Sequence, residues 1–156
     1  MIRLCCCEER PEPLTPIWLR LRWAVLFAML IAGASSCSLT KGREVAETAV
    51  KRFHDQYNAG KFSDIYQETD DQFKNVTSEK EWVELLQAVQ RKLGTVKDAK
   101  SSGWGVNTTP MGTTATLSYD VDFSEGRGAE QFVFHISGNA AKLLRYNINS
   151  PLLITR

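Results

Sequence analysis

The sequence predicts an α+β domain in which N-terminal helices pack on one face of a curved, four-stranded antiparallel sheet. Three observations predict it. Up to Gly94, apolar residues recur three and four apart, the period of an amphipathic helix. Beyond Gly94 the period falls to two, as in strands with one buried face. The strand-like runs are joined by short turns, which only antiparallel neighbours allow. Helices first and a one-sided sheet second leave the helices to cover the apolar face.

Taken in order, Val45, Ala46, Ala49, Val50, Phe53 and Tyr57 form one stripe on a helix over 43–58, ended by Gly60. A shorter helix from Phe62 to about Phe73 turns Phe62, Ile65, Tyr66 and Phe73 inward. Ser78 and Glu81 make a capping box. Behind it Trp82, Leu85, Leu86, Val89 and Leu93 form a third stripe. A first strand spans Val96 to Asn107, with Gly103 and Gly105 permitting a bulge around Trp104. The second alternates Leu117, Tyr119, Val121 and Phe123 with Thr116, Ser118, Asp120 and Asp122. Turns at 124–128 and 137–139 lead to Phe132, Phe134 and Ile136, then to Leu144, Tyr146 and Ile148.

The chain of 156 residues is of one-domain length, and 43% hydrophobic with 24% charged residues excludes a disordered chain. Its 19 basic and 18 acidic residues nearly balance, so there is no basic surface of the kind that neutralises phosphates, and nucleic acid is not an expected partner. All 4 cysteines, Cys5, Cys6, Cys7 and Cys37, precede the folded part, which therefore has no disulfide to stabilise it. Arg20 and Arg22, the apolar run Trp23 to Ala32, and the small residues Gly33 to Ser36 have the basic, apolar, small order of a secretory signal. The run falls short of the about 20 apolar residues that span a bilayer.

Ala34-Ser35-Ser36-Cys37 resembles the bacterial lipobox, whose cysteine thiol receives a diacylglycerol before cleavage on its N-terminal side. The family usually has Leu where this chain has Ala34, and Ala32-Gly33-Ala34 also offers an ordinary signal-peptidase site. The resulting division is a signal peptide over 1–36, a lipidated cysteine and short tether over 37–42, and one α+β domain over 43–156. Residues 1–16, with Glu8, Glu9 and several prolines, dilute the basic start of a signal, which points to a translation start nearer Ile17 or Leu19. The helix–sheet order resembles the cystatin-like and NTF2-like folds. Lys92-Leu93-Gly94, Gly103-Trp104, 129–133 and 146–150 resemble a family of small bacterial lipoproteins catalogued as a domain of unknown function, over most of residues 43–154. That resemblance implies a fold and an envelope address, and brings no catalytic residue, ligand or cofactor with it.

Sequence chemistry is sparse. His54 sits off the centre of the first stripe, as a boundary residue does. His135 alternates with Phe134 and Ile136 and so points away from the apolar face. Asp120 and Asp122 share a strand face that is expected to meet water. There is no metal-ligand spacing, phosphate loop or nucleophile signature. The aromatics Tyr57, Trp82, Trp104, Tyr119 and Tyr146 are the candidate lining of an apolar pocket, against the plainer reading of core residues. The sequence therefore leads to a non-enzymatic envelope lipoprotein, attached to the lipid bilayer through acylated Cys37 and binding a protein partner or itself as a homodimer. The alternative is an NTF2-like ligand-binding or catalytic domain with that aromatic pocket.

Overall fold

In the computed structural model residues 36–154 are described, with side chains from Thr40. The expected signal sequence, the Cys5-Cys6-Cys7 run and the Cys37 side chain lie outside the described residues. Helix α1 (Ser36–Asn58) begins seven residues before the helix expected over 43–58, and its backbone includes Cys37 and Lys41. Its buried line is Gly42, Ala46, Val50, Phe53, His54 and Tyr57. Val45 and Ala49 lie half-buried to one side.

The single short helix expected over 62–73 is two pieces, α2 (Phe62–Gln67) and α3 (Asp71–Lys74). Asp70 breaks it, because its side chain accepts from the Gln72 N–H at 2.9 Å and caps α3. Thr69 meanwhile forms a parallel bridge with Leu143. Helix α4 (Glu79–Leu93) starts at the predicted Ser78–Glu81 capping box. It buries Trp82, Leu86, Val89 and Leu93, whereas Leu85, expected inward, faces solvent. Among the described residues no helix is long and apolar enough to cross a membrane.

Strands β1 (Val96–Thr109), β2 (Gly112–Phe123), β3 (Arg127–Ser137) and β4 (Ala140–Asn149) lie in the order 1-2-3-4, every neighbouring pair antiparallel. A short helix α5 (Pro151–Ile154) follows. The register of β1 slips between Ser101 and Gly103, where glycine predicts a bulge. Another slip, between Val133 and Phe134, pairs Phe134 with Leu143. It reverses the phase of β4, so that Leu143 is buried and Leu144, expected inward, is only half-buried.

The helices and the sheet meet in one aromatic core around Phe53, Trp82 and Phe132. Phe53 meets Phe132 edge-on at 5.1 Å, and Trp82 meets Phe73 at 5.0 Å. Asn58 fixes the end of α1 to the sheet, its amide bonding both ways with the Val96 backbone at 2.8 and 2.9 Å.

Candidate functional site

Alternation along β3 sends Glu130, Phe132 and Phe134 to the helix-covered face, and all three are buried. On α1 the steps Ala46, Val50 and His54 advance by four residues, carrying His54 across onto the same face. His54 is thus 8% exposed, not the boundary residue that its sequence position suggests. The half-buried Val45 and Ala49 draw the apparent centre of the stripe away from it. Its Nε2 stands 2.7 Å from Oε2 of Glu130, which is 3% exposed. The Tyr146 hydroxyl, from β4, donates to the other oxygen at 2.6 Å. A carboxylate accepts, so Nε2 is the histidine nitrogen that carries a proton.

A polar network therefore crosses the apolar face from α1 to β4. Burying a carboxylate costs several kcal/mol unless it is paired, and here both oxygens are. Burial pushes the Tyr146 phenol well up, and the charge of Glu130 and its hydrogen bond push it further. That phenol stays protonated and serves as a donor. Tyr57 is raised too, by burial and then by Glu130. Its hydroxyl donates to the Gly94 carbonyl at 3.0 Å, joining α1 to the end of α4.

The other predicted pocket residues are divided. Tyr119 lies edge-on to His54 at 6.4 Å, its phenol raised by burial and by Glu47 and lowered by Arg43. Trp82 packs edge-on to Tyr146 at 5.6 Å, and its buried indole N–H has no hydrogen-bond partner among the described residues. Trp104 is apart from these, half-exposed on the edge strand with the Arg43 guanidinium 4.8 Å above its ring. His135 faces away from the core and holds Asp70 at 3.1 Å. Asp120 is exposed on the outer face, and Asp122 pairs there with Arg127 at 2.9 Å.

A histidine, a carboxylate and a phenol are the groups of acid–base chemistry, but a reaction needs space beside them. The void at Phe53, Phe134 and Leu143 is about 20 Å³, room for one water. The larger spaces are open grooves. One of about 670 Å³ runs between α1 and the β3–β4 turn, lined by Lys41, Val45, Ala49, Asn139, Ala140 and Lys142 among others. Another, of about 660 Å³, lies between the α3 region and the sheet, where Phe73, Thr114, Thr116, Val133, Arg145 and Tyr146 of the network are among its lining residues. Sequence reasoning passed over Glu130 as a site residue, although the Phe132–Phe134–Ile136 alternation, extended back one step, places it inward.

Helices laid over one face of a curved antiparallel sheet, with a cradle between, define an NTF2-like α+β domain. The family of the NTF2-like N-terminal transpeptidase domain matches residues 45–128, more than half of the chain, and the chain belongs to it. The matched segment contains His54 and ends just before Glu130. No curated protein matches the chain.

Proposed function

We propose that this protein is an exported bacterial envelope lipoprotein, held to the bilayer through acylated Cys37, whose NTF2-like domain acts by contact with a protein partner or a second copy and not by turning over a substrate. The observation that carries this reading is the filled cradle. His54, Glu130 and Tyr146 satisfy one another among Phe53, Trp82 and Phe132, the void at Phe53 is of single-water size, and the larger space that Tyr146 borders is an open groove. Open grooves rimmed by charge and floored by small apolar residues suit contact with another surface. The family description, of an N-terminal domain of a transpeptidase, agrees with a domain that accompanies chemistry done elsewhere. The lipobox-like Ala34 to Cys37, and the resemblance to small lipoproteins of unknown function, supply the address.

The test is intact-mass analysis of the protein taken from its native membrane, followed by cross-linking in the intact envelope. The expected product starts at Cys37 and carries acyl chains, and cross-links join it to a protein. A chain cleaved after Ala34 with an unmodified Cys37 would refute the anchor. A second reading rests on the acid–base character of His54, Glu130 and Tyr146: a ligand-binding or catalytic domain lined by Tyr57, Trp82, Trp104, Tyr119 and Tyr146. A small molecule retained in native mass spectrometry, and lost in Glu130→Gln, would favour it over the first.

A further inference from the structure

One end of the domain differs from the other in charge. From Ser101 through Ser118 the chain has no Asp, Glu, Lys or Arg, and from Gln131 through Ala141 it has only His135 as a titratable group. The pairings Thr109 with Gly112, Thr113 with Ile136 and Ser137 with Ala140 place the β1–β2 and β3–β4 tips at the same end of the sheet. The opposite end carries Lys97, Asp98, Lys100, Asp120, Asp122 and Arg127. Helix α1 enters at the end of the two uncharged hairpin tips. A Cβ on Gly42 would lie 3.7 Å from Val106, whereas Asn58 bonds to Val96 at the far end. The backbone of Cys37 is therefore about 8 Å beyond Gly42 along the helix, at a rise of 1.5 Å per residue. On the β1–β2 tip Met111 is 95% exposed, next to Pro110. Lys41 and Lys142 line one groove at this end with Glu44, while Arg43 is tied to Glu47 at 2.7 Å and Arg52 to Glu68 at 2.8 Å.

We infer that this end of the domain, formed by the first turns of α1 and the two hairpin tips, rests on an anionic lipid surface. The inference rests on the anchored reading above and adds to it an orientation. Charged groups lose hydration against a bilayer, so an end whose hairpins lack them meets lipid at least cost. The Met111 side chain enters the boundary between headgroups and acyl chains. Lys41 and Lys142 lay their apolar stems along it and direct their ammonium groups to lipid phosphates. The charged end is left to face water, with β1 and the outer sheet face free for a partner.

The experiment uses the protein extracted from its membrane and reconstituted into phosphatidylcholine–phosphatidylglycerol vesicles, with ¹³C-labelled methionine methyls. The Met111 signal is assigned by its loss in Met111→Ala. Nitroxide placed at shallow depth on the lipids should erase that signal, and a water-soluble paramagnetic agent should spare it. Lys41→Glu with Lys142→Glu, both at exposed positions, should restore the signal in anionic vesicles. If the protein floats with the vesicles while Met111 is spared by the lipid nitroxide and erased by the soluble agent, the inference falls and the anchor stands. Protection from both agents means that a protein, such as a second copy, covers this end, and this too overturns it. If intact mass shows Cys37 unacylated yet the lipid nitroxide erases Met111, the lipid-facing end stands and the anchored reading falls.

Discussion

Glu130 sits at a depth where a carboxylate survives only with donors on both oxygens, and His54 and Tyr146 are those donors. Removing one member of a buried pair leaves the other uncompensated. Glu130→Ala should therefore cost about 3–5 kcal/mol in urea unfolding, and Tyr146→Phe about 1–3 kcal/mol. Replacing His54 and Glu130 together by leucine should recover much of the loss, since no charge is then stranded. Additive losses in that double variant would show that the two groups are not coupled. Both positions were legible in the sequence: Glu130 continues the inward alternation of Phe132 and Phe134, and His54 continues Ala46 and Val50. Residue type obscured them, since an acid beside a turn and a histidine beside a stripe usually meet solvent. Asp70 provides a test by pH. Burial pushes its carboxyl up, but the Gln72 N–H, the His135 ring and Lys142 outweigh that and hold it below the usual range. A depressed folded value gives stability that is present above the unfolded carboxyl value, near 3.8, and is lost as pH falls below it. Asp70→Asn keeps an N-cap oxygen and should flatten that acid limb in unfolding curves taken from pH 6 down to about 2. An unchanged acid limb would mean that Asp70 contributes none of it.

At the scale of elements, local chemistry decides the starts and stops. The Ser78 hydroxyl accepts from the Glu81 N–H while the Glu81 carboxylate accepts from the Ser78 N–H. Ser78→Ala should lower stability by about 1 kcal/mol. Gly94 ends α4 at φ 77 and ψ −149, a region almost reserved for glycine, and a Cβ there would meet the Ser124 hydroxyl. Gly94→Ala should cost at least about 1–3 kcal/mol, seen as a lower melting temperature. A variant that melts with the parent would show that the backbone relaxes without loss. The capping box, the helix-ending Gly60 and Gly94, the period change and the β1 bulge could all be read from sequence, because each is set by a few neighbouring residues. The split of α2 from α3 and the phase reversal in β4 could not. The split joins the local Asp70 cap on Gln72 to a bridge from Thr69 to distant Leu143, and the reversal follows from a register slip that pairs Phe134 with Leu143, contacts that periodicity alone does not contain.

At the scale of the molecule, the fold separates what holds it together from what it presents outward. The aromatic core and the His54–Glu130–Tyr146 network fill the cradle, so an effect on folding and an effect on the proposed attachment fall on different residues. Trp82 belongs to the first group: it is 2% exposed and packs against Phe53, Phe73 and Tyr146. Trp82→Ala should cost about 3–5 kcal/mol, a large share of a domain's stability. Under the proposed anchor, Cys37 belongs to the second. It precedes Gly42, the first buried position of α1 among the residues whose side chains are described. The Cys37→Ser variant should melt with the parent protein but leave the membrane fraction, or accumulate with its leader uncleaved. Two or three acyl chains would make the attachment stable. Cys37→Ser protein that is processed normally and stays in the membrane fraction would mean that something other than the acylated thiol holds it there.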